Sequence, residues 1–189
     1  MEIMSHGLRN EKSAFLVIDL VGDFVNGKFG SEEAIEIAEK TKETINKVAG
    51  KIEIVMTRDA HISNDPEFKI WGEHCLEGTV GSEIYGDLKL YPTRLISKRH
   101  YDAFFDSDLD GYFRAREVKR LYISGISTDI CVEHTVAGAF FRGYEIFLIE
   151  DLCTSIDPKR HGDAIERMKS LYGVNVIHQR EFEDYYVEK

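Results

Sequence analysis

The chain alternates short apolar runs with longer stretches of helical spacing. The runs AFLVIDL (Ala14–Leu20), IEIVMT (Ile52–Thr57), Leu95–Ser97, LYISG (Leu121–Gly125), IFLI (Ile146–Ile149) and VNVIH (Val174–His178) are mostly apolar. They predict strands covered on both faces, as in a parallel sheet. Between the first two, Ser31 is placed to cap a helix that has Glu32 and Glu33 in its first turn. Ile35, Ala38, Ile45 and Val48 then recur at helical spacing, and Gly50 ends the run. Further helices are predicted over about 108–117, 128–142 and 158–171, the last capped by Asp157 with Pro158 in its first turn. Strand-helix alternation implies right-handed crossovers and an α/β, doubly wound, mainly six-stranded parallel sheet with helices on both faces. Its ligand site belongs at the carboxyl ends of the strands. The stretch from Thr57 to Tyr91 has little periodicity and is too long for a simple connection, which points to a functional loop.

With 189 residues and 43% hydrophobic content the chain is expected to bury one core, as a single domain over 1–189. Acidic residues outnumber basic ones 34 to 24, a formal charge of -10 that disfavours nucleic acid and anionic membranes as partners. No apolar run reaches the roughly 18 residues of a membrane span, and Met1 to Lys12 lacks the apolar region of a signal peptide, so a cytoplasmic location is expected. A homo-oligomer is compatible with all of this. The three cysteines are odd in number and widely spaced, which argues against a disulfide framework or a zinc knuckle.

Three polar residues fall at predicted strand ends. Asp19, in IDLVGDF, is either a candidate general base with an elevated pKa or an Asp that caps the turn leading to Asp23. Lys98, in ISKRHYDAF, is either functional or a solvated lysine paired with a surface acid. Cys131, in GISTDICVEH, falls in the first turn of a predicted helix, where amide dipoles and a nearby ammonium are expected to lower a thiol pKa and to hold an oxyanion. A buried free cysteine is the bland alternative, and it is how Cys75 and Cys153 read. An acid, a lysine and a cysteine at three strand ends fit the logic of covalent catalysis.

The long loop opens with TRDAH, where Asp59 and His61 can face one cation from an extended backbone, and His74 follows in WGEHC. One carboxylate and two imidazoles suit a divalent zinc, iron or manganese ion with open positions, although the short Asp-x-His pattern alone is weak. Glu67 lies between the histidines as a fourth ligand, a partner of a metal-bound water or a solvated loop acid.

Together these segments, from Ala14 to about Ile177, resemble the nicotinamidases within the isochorismatase-like cysteine hydrolases. The resemblance implies that Asp19, Lys98 and Cys131 form a catalytic triad and that Asp59, His61 and His74, with Glu67 in some members, bind a metal, zinc first. It implies that Phe24, Trp71 and Tyr101 line a pyridine pocket, with Ile126 and Ser127 joined by a cis peptide at the oxyanion. The implied reaction is hydrolysis of nicotinamide to nicotinate and ammonia through a cysteine thioester, in NAD salvage. Two departures stand out: Val21 replaces the Gln common in the first motif, and Gly72-Glu73 replace the usual proline before the histidine. The rival readings are another amidase of this superfamily, acting on pyrazinamide or another small amide, and a noncatalytic pyridine-binding protein. The retained metal motif and the intact triad disfavour them respectively.

Overall fold

The computed structural model describes residues 11–187, so most of the Met1 to Lys12 stretch read for a leader lies outside the described residues. Strands β1 (Lys12–Ile18), β2 (Glu53–Asp59), β3 (Arg94–Lys98), β4 (Val118–Ile126), β5 (Glu145–Thr154) and β6 (Asn175–Ile177) alternate with helices. They form one six-stranded sheet in the order β3-β2-β1-β4-β5-β6, parallel throughout. The helices are α1 (Gly22–Val25), α2 (Glu32–Val48), α3 (Phe68–Trp71), α4 (Leu109–Ala115), α5 (Glu133–Phe141), α6 (Pro158–Tyr172) and α7 (Gln179–Val187). This is the doubly wound α/β architecture that the alternation predicts. Among the described residues no helix is long and apolar enough to cross a membrane.

β1 shows why its run is apolar throughout. Ala14, Leu16 and Ile18 face one core with Val55, Ile96, Phe113 and residues of α5 and α6. Phe15 and Val17 face the opposite core, with Met56, Ala38 and Ile45 of α2 and Phe182 and Tyr186 of α7. A strand buried on both faces has no position for a polar side chain, and each large apolar side chain there contributes roughly 1.5–3 kcal/mol.

The order of strands places the site. From β1 the chain builds outward to β2 and β3, then returns to the other side of β1 with β4, so β1 and β4 flank the point where the winding reverses. Their ends converge closely. Gly125, at φ +126, lies where a Cβ would be 2.0 Å from the Ile18 carbonyl oxygen, so no larger residue fits there.

Several elements differ from expectation. β5 runs on to Thr154, past the predicted end at Ile149, because its ladder with β4 resumes after a register shift and pairs Gly125 with Cys153. The acidic pair Glu150 and Asp151 hides that extension from an apolar pattern. The helix predicted over 128–142 is a π-turn, Thr128–Val132, followed by α5, with the Val132 amide donating to the Ser127 carbonyl. Helix α2 has its Ser31 cap, accepting from the Ala34 amide, but Ile35 is 38% exposed. Its buried face runs through Ala34, Ile37, Ala38, Thr41, Thr44, Ile45 and Val48. The long loop holds α3 and two 3-10 turns, at 80–82 and 86–90.

Helix α7 lies outside the helices expected from the sequence, since its first six residues carry four charges and a single apolar side chain, Phe182. Polar bonds complete its docking: the Glu183 carboxylate accepts from Thr44 Oγ1 (2.9 Å), Lys47 Nζ (2.7 Å) and Gln179 Nε2 (2.9 Å). Burial acts to raise the Glu183 pKa, but these donors outweigh it and hold the carboxyl below its ordinary value. A depressed pKa stabilises the fold fully above the unfolded value, roughly 4.3, and that stability is lost as pH falls through the folded value. Glu183→Ala leaves the buried Thr44 hydroxyl without its acceptor and should cost about 1–3 kcal/mol in urea unfolding at neutral pH. The deficit should shrink as pH falls through that depressed folded value, where the wild-type carboxylate itself becomes protonated.

Candidate active site

Four strand ends supply the site. Asp19 follows β1, Asp59 ends β2, Lys98 ends β3 beside it in register, and Cys131 sits in the π-turn after β4. Lys98 Nζ lies 2.6 Å from Asp19 Oδ2, 3.1 Å from Asp59 Oδ1 and 3.6 Å from Cys131 Sγ. All four residues are buried. Asp19, held at φ 50, accepts at Oδ1 from Thr57 Oγ1 (2.6 Å), and its amide donates back to the same hydroxyl (3.1 Å). Thr57 escaped the sequence reading. The signal was its spacing, two residues before Asp59, which puts both side chains on one face of β2.

The electrostatics correct one expectation. Cys131 does occupy the first turn after β4, but burial pushes its thiol well above the ordinary range. Lys98 opposes that shift, while Asp19 and Asp59 add to it. At this buried position the cost of desolvating a thiolate outweighs the help of Lys98 and of the amide dipoles. Burial likewise raises the Asp19 carboxyl, against the pull of Lys98, and the Asp59 charge raises it further. Asp59 itself is held down at about 2: burial acts to raise it, but Lys98 and His61 prevail. Burial alone would neutralise Lys98, yet the two carboxylates hold its pKa well above normal. The resting arrangement is a thiol facing a carboxylate across a fixed ammonium.

Asp59 turns its other oxygen to the histidines. Its Oδ2 lies 3.0 Å from His61 Nε2 and 3.8 Å from His74 Nε2, and Glu67 Oε1 lies 3.9 and 3.8 Å from those two nitrogens. One donor atom from each of Asp59, His61 and His74 falls within 4.8 Å of the others. A tetrahedral ion with bonds of about 2.0–2.2 Å spaces its ligands about 3.4 Å apart, so this set fits one cation. The orientation of the His74 ring supports it. His74 Nδ1 contacts the Gly72 carbonyl at 2.8 Å, and because a carbonyl can only accept, Nδ1 carries the proton and Nε2 presents a lone pair. His61 has a carboxylate at each ring nitrogen, Asp65 Oδ2 at 3.2 Å from Nδ1 and Asp59 Oδ2 at 3.0 Å from Nε2, and against burial these acids hold its pKa above the ordinary value. Burial and the Asp59 charge push Glu67 up to about 7, a concentration of negative charge that a cation relieves. Asp65 is a second residue the sequence reading missed, marked only by its spacing of four from His61.

These groups open on a cavity of about 500 Å³, counting its mouth, lined by Phe24, Trp71, Tyr101, Ile126, Ser127 and Cys131 among others. Trp71 Nε1 donates to Tyr101 Oη (2.9 Å). The Ile126–Ser127 peptide is cis. Phe29, Ile130 and Ile156 complete the wall and were not anticipated. Phe29 stands edge-on to His74, with ring centroids 5.3 Å apart. Val21 packs into the α2-side core rather than the cavity, so its departure from Gln does not alter pocket polarity. Cys75 and Cys153 are buried, as expected for small apolar residues, and burial raises both thiols.

Residues 13–181 match the isochorismatase domain, and the chain belongs to the isochorismatase family of hydrolases. Among solved structures it is similar to the pyrazinamidase of Pyrococcus horikoshii in complex with zinc, at 34% identity and a TM-score of 0.81 over 88% of this chain and 99% of that one. It is similar to the nicotinamidase PncA of Bacillus subtilis, at 30% identity and a TM-score of 0.81 over 88% and 100% of the two chains. The N-carbamoylsarcosine amidase of Thermoplasma acidophilum stands at 30% identity and a TM-score of 0.80, over 89% and 96%.

Because Asp19 raises the Cys131 pKa by charge and by hydrogen bonding, Asp19→Asn has a split outcome. Alkylation of Cys131 by iodoacetamide should shift its pH midpoint downward, while any hydrolytic turnover falls by about 100- to 10,000-fold for want of the base. An unchanged midpoint with normal turnover would show that Asp19 does not serve the thiol.

Proposed function

We propose that this protein is a nicotinamidase, hydrolysing nicotinamide to nicotinate and ammonia through a thioester on Cys131, in cytoplasmic NAD salvage. The broader assignment, an amidohydrolase of the isochorismatase family, rests on the family match and on amidases of three substrate ranges sharing this fold. One observation carries the narrower reading. A single cavity joins Cys131 to the metal-ligand set through flat aromatic walls, and its lining includes no lysine or arginine. A substrate with its own carboxylate would find no cation of the chain to meet it there, beside Asp59 and Glu67. A neutral planar heteroaromatic amide meets no such penalty and stacks on Trp71 and Phe24.

In this reading Asp59, His61 and His74, with Glu67, hold one divalent cation, zinc in the first instance. When bound, it supplies a Lewis acid for the pyridine nitrogen. The aromatic walls orient the ring so that its carboxamide reaches Cys131. Asp19 takes the thiol proton as Sγ forms its bond to the carboxamide carbon, and the backbone amides of the Ser127–Cys131 turn receive the developing oxyanion. Asp19 then passes that proton to the departing nitrogen, and ammonia leaves. Asp19 next takes a proton from water as its oxygen attacks the thioester, releasing nicotinate, and the proton returns to Sγ. The high resting pKa of the thiol suits this cycle, because proton transfer accompanies attack instead of preceding it. Lys98 holds Asp19 in place throughout and keeps a positive charge between it and Asp59.

Ammonia release should be fastest from nicotinamide in a panel with pyrazinamide and N-carbamoylsarcosine, and faster from pyrazinamide than from the carboxylate-bearing substrate. Cys131→Ala should abolish turnover yet still bind nicotinamide by calorimetry, with Cys153→Ala nearly silent. Chelation should act chiefly on KM, since the cation positions the ring. Full activity after exhaustive metal removal, or a Cys131→Ala enzyme that keeps most of its rate, would sink the assignment.

A further inference from the structure

The loop that carries Trp71 and His74 passes through Gly72, the residue type with the greatest backbone freedom, and yet both side chains must stay in place. The connection between β1 and α2 grips it from outside. Lys28 Nζ donates to the Trp71 carbonyl (2.8 Å) and to the Glu73 carbonyl (2.9 Å), spanning Gly72. Asp23 Oδ2 accepts from the Cys75 amide (2.7 Å), so the backbone on both sides of His74 is tied to that connection. Gly72 shows how closely Lys28 is fitted: at φ +71, a Cβ there would stand 2.7 Å from Lys28 Nζ. The Lys28 ammonium also lies 5.2 Å from the centroid of the Phe29 ring, which packs edge-on to both Trp71 and His74. The Gly72 peptide is the same one whose carbonyl fixes the His74 ring.

We propose that Lys28 is a positioning residue for the metal loop: by spanning Gly72 it sets the orientation of His74 toward the cation and of Trp71 toward the substrate. The inference rests on the metal-dependent reading above. It makes a prediction opposite in sign to simple electrostatics. Lys28 adds positive charge near His74, so removing that charge should tighten cation binding if Coulomb repulsion were its only effect. Loss of positioning should instead weaken it, by the roughly 10- to 100-fold typical of residues that orient a metal ligand.

The test is zinc affinity of the full chain, measured by competition with a chromophoric chelator, for wild type, Lys28→Met, Lys28→Arg and the surface control Lys169→Met. Lys28→Met should bind zinc about 10-fold more weakly and raise KM several-fold with kcat little changed. Lys28→Arg should recover much of the loss, since a guanidinium can donate to both carbonyls, and Lys169→Met should match wild type. Tm is followed in parallel, because a fold-wide defect would lower it along with kcat. Zinc affinity that is unchanged or tighter in Lys28→Met overturns the inference while leaving the proposed reaction standing. A wild-type chain that binds no zinc overturns the metal reading and the inference together, and one that binds zinc but ignores nicotinamide overturns only the substrate assignment.

Discussion

The site is organised around one buried ammonium. Lys98 sits at the end of β3 with no exposure to water, and a lone charge there would cost several kcal/mol. It is retained because Asp19 and Asp59 flank it at 2.6 and 3.1 Å, which requires the ends of β1, β2 and β3 to meet within a few ångströms. Each carboxylate thereby divides its two oxygens between Lys98 and other partners. Asp19 holds Thr57 with one oxygen and Lys98 with the other. Asp59 holds Lys98 with Oδ1 and turns Oδ2 to His61 and His74. The ligand set and the candidate nucleophile therefore share one electrostatic unit, and a change to any member is felt by both.

That coupling explains why the thiol is not preactivated. A cysteine beside an ammonium in a first helical turn ordinarily titrates low, but here two carboxylates lie within reach of the same ammonium and the sulfur is buried. Two carboxylates already outnumber the one ammonium at Lys98 before Sγ is considered, so a thiolate would add a further unpaired negative charge to a buried site. The proton waits on sulfur, next to a carboxylate whose own raised pKa brings the two groups closer in proton affinity.

Much of the architecture was legible in the chain because burial on both faces of a parallel strand leaves an apolar run with few other readings. Asp19, Lys98 and Cys131 stood out as polar residues at the ends of such runs, and Asp59 by its spacing from His61 at the start of the long loop, while doubly wound topology sends strand ends to one edge of the sheet. Elements whose stability comes from remote partners were not legible. Helix α7 docks through Glu183 onto Thr44 and Lys47, far away in sequence, and the second half of β5 exists because β4 resumes pairing beyond its register shift.

The sequence by itself determined the strand and helix alternation, the residue types available to bind a cation or attack a carbonyl, and the address of each on its own segment. Only the tertiary structure decided how those groups share charge. Burial depth and distances of a few ångströms set whether Cys131 rests as thiol or thiolate, which oxygen of Asp59 faces Lys98, and that Thr57, Asp65 and Lys28 contact Asp19, His61 and the loop around Gly72. Those quantities depend on contacts between segments dozens of residues apart, and local spacing carries no information about the dielectric or the neighbours that folding brings to a side chain.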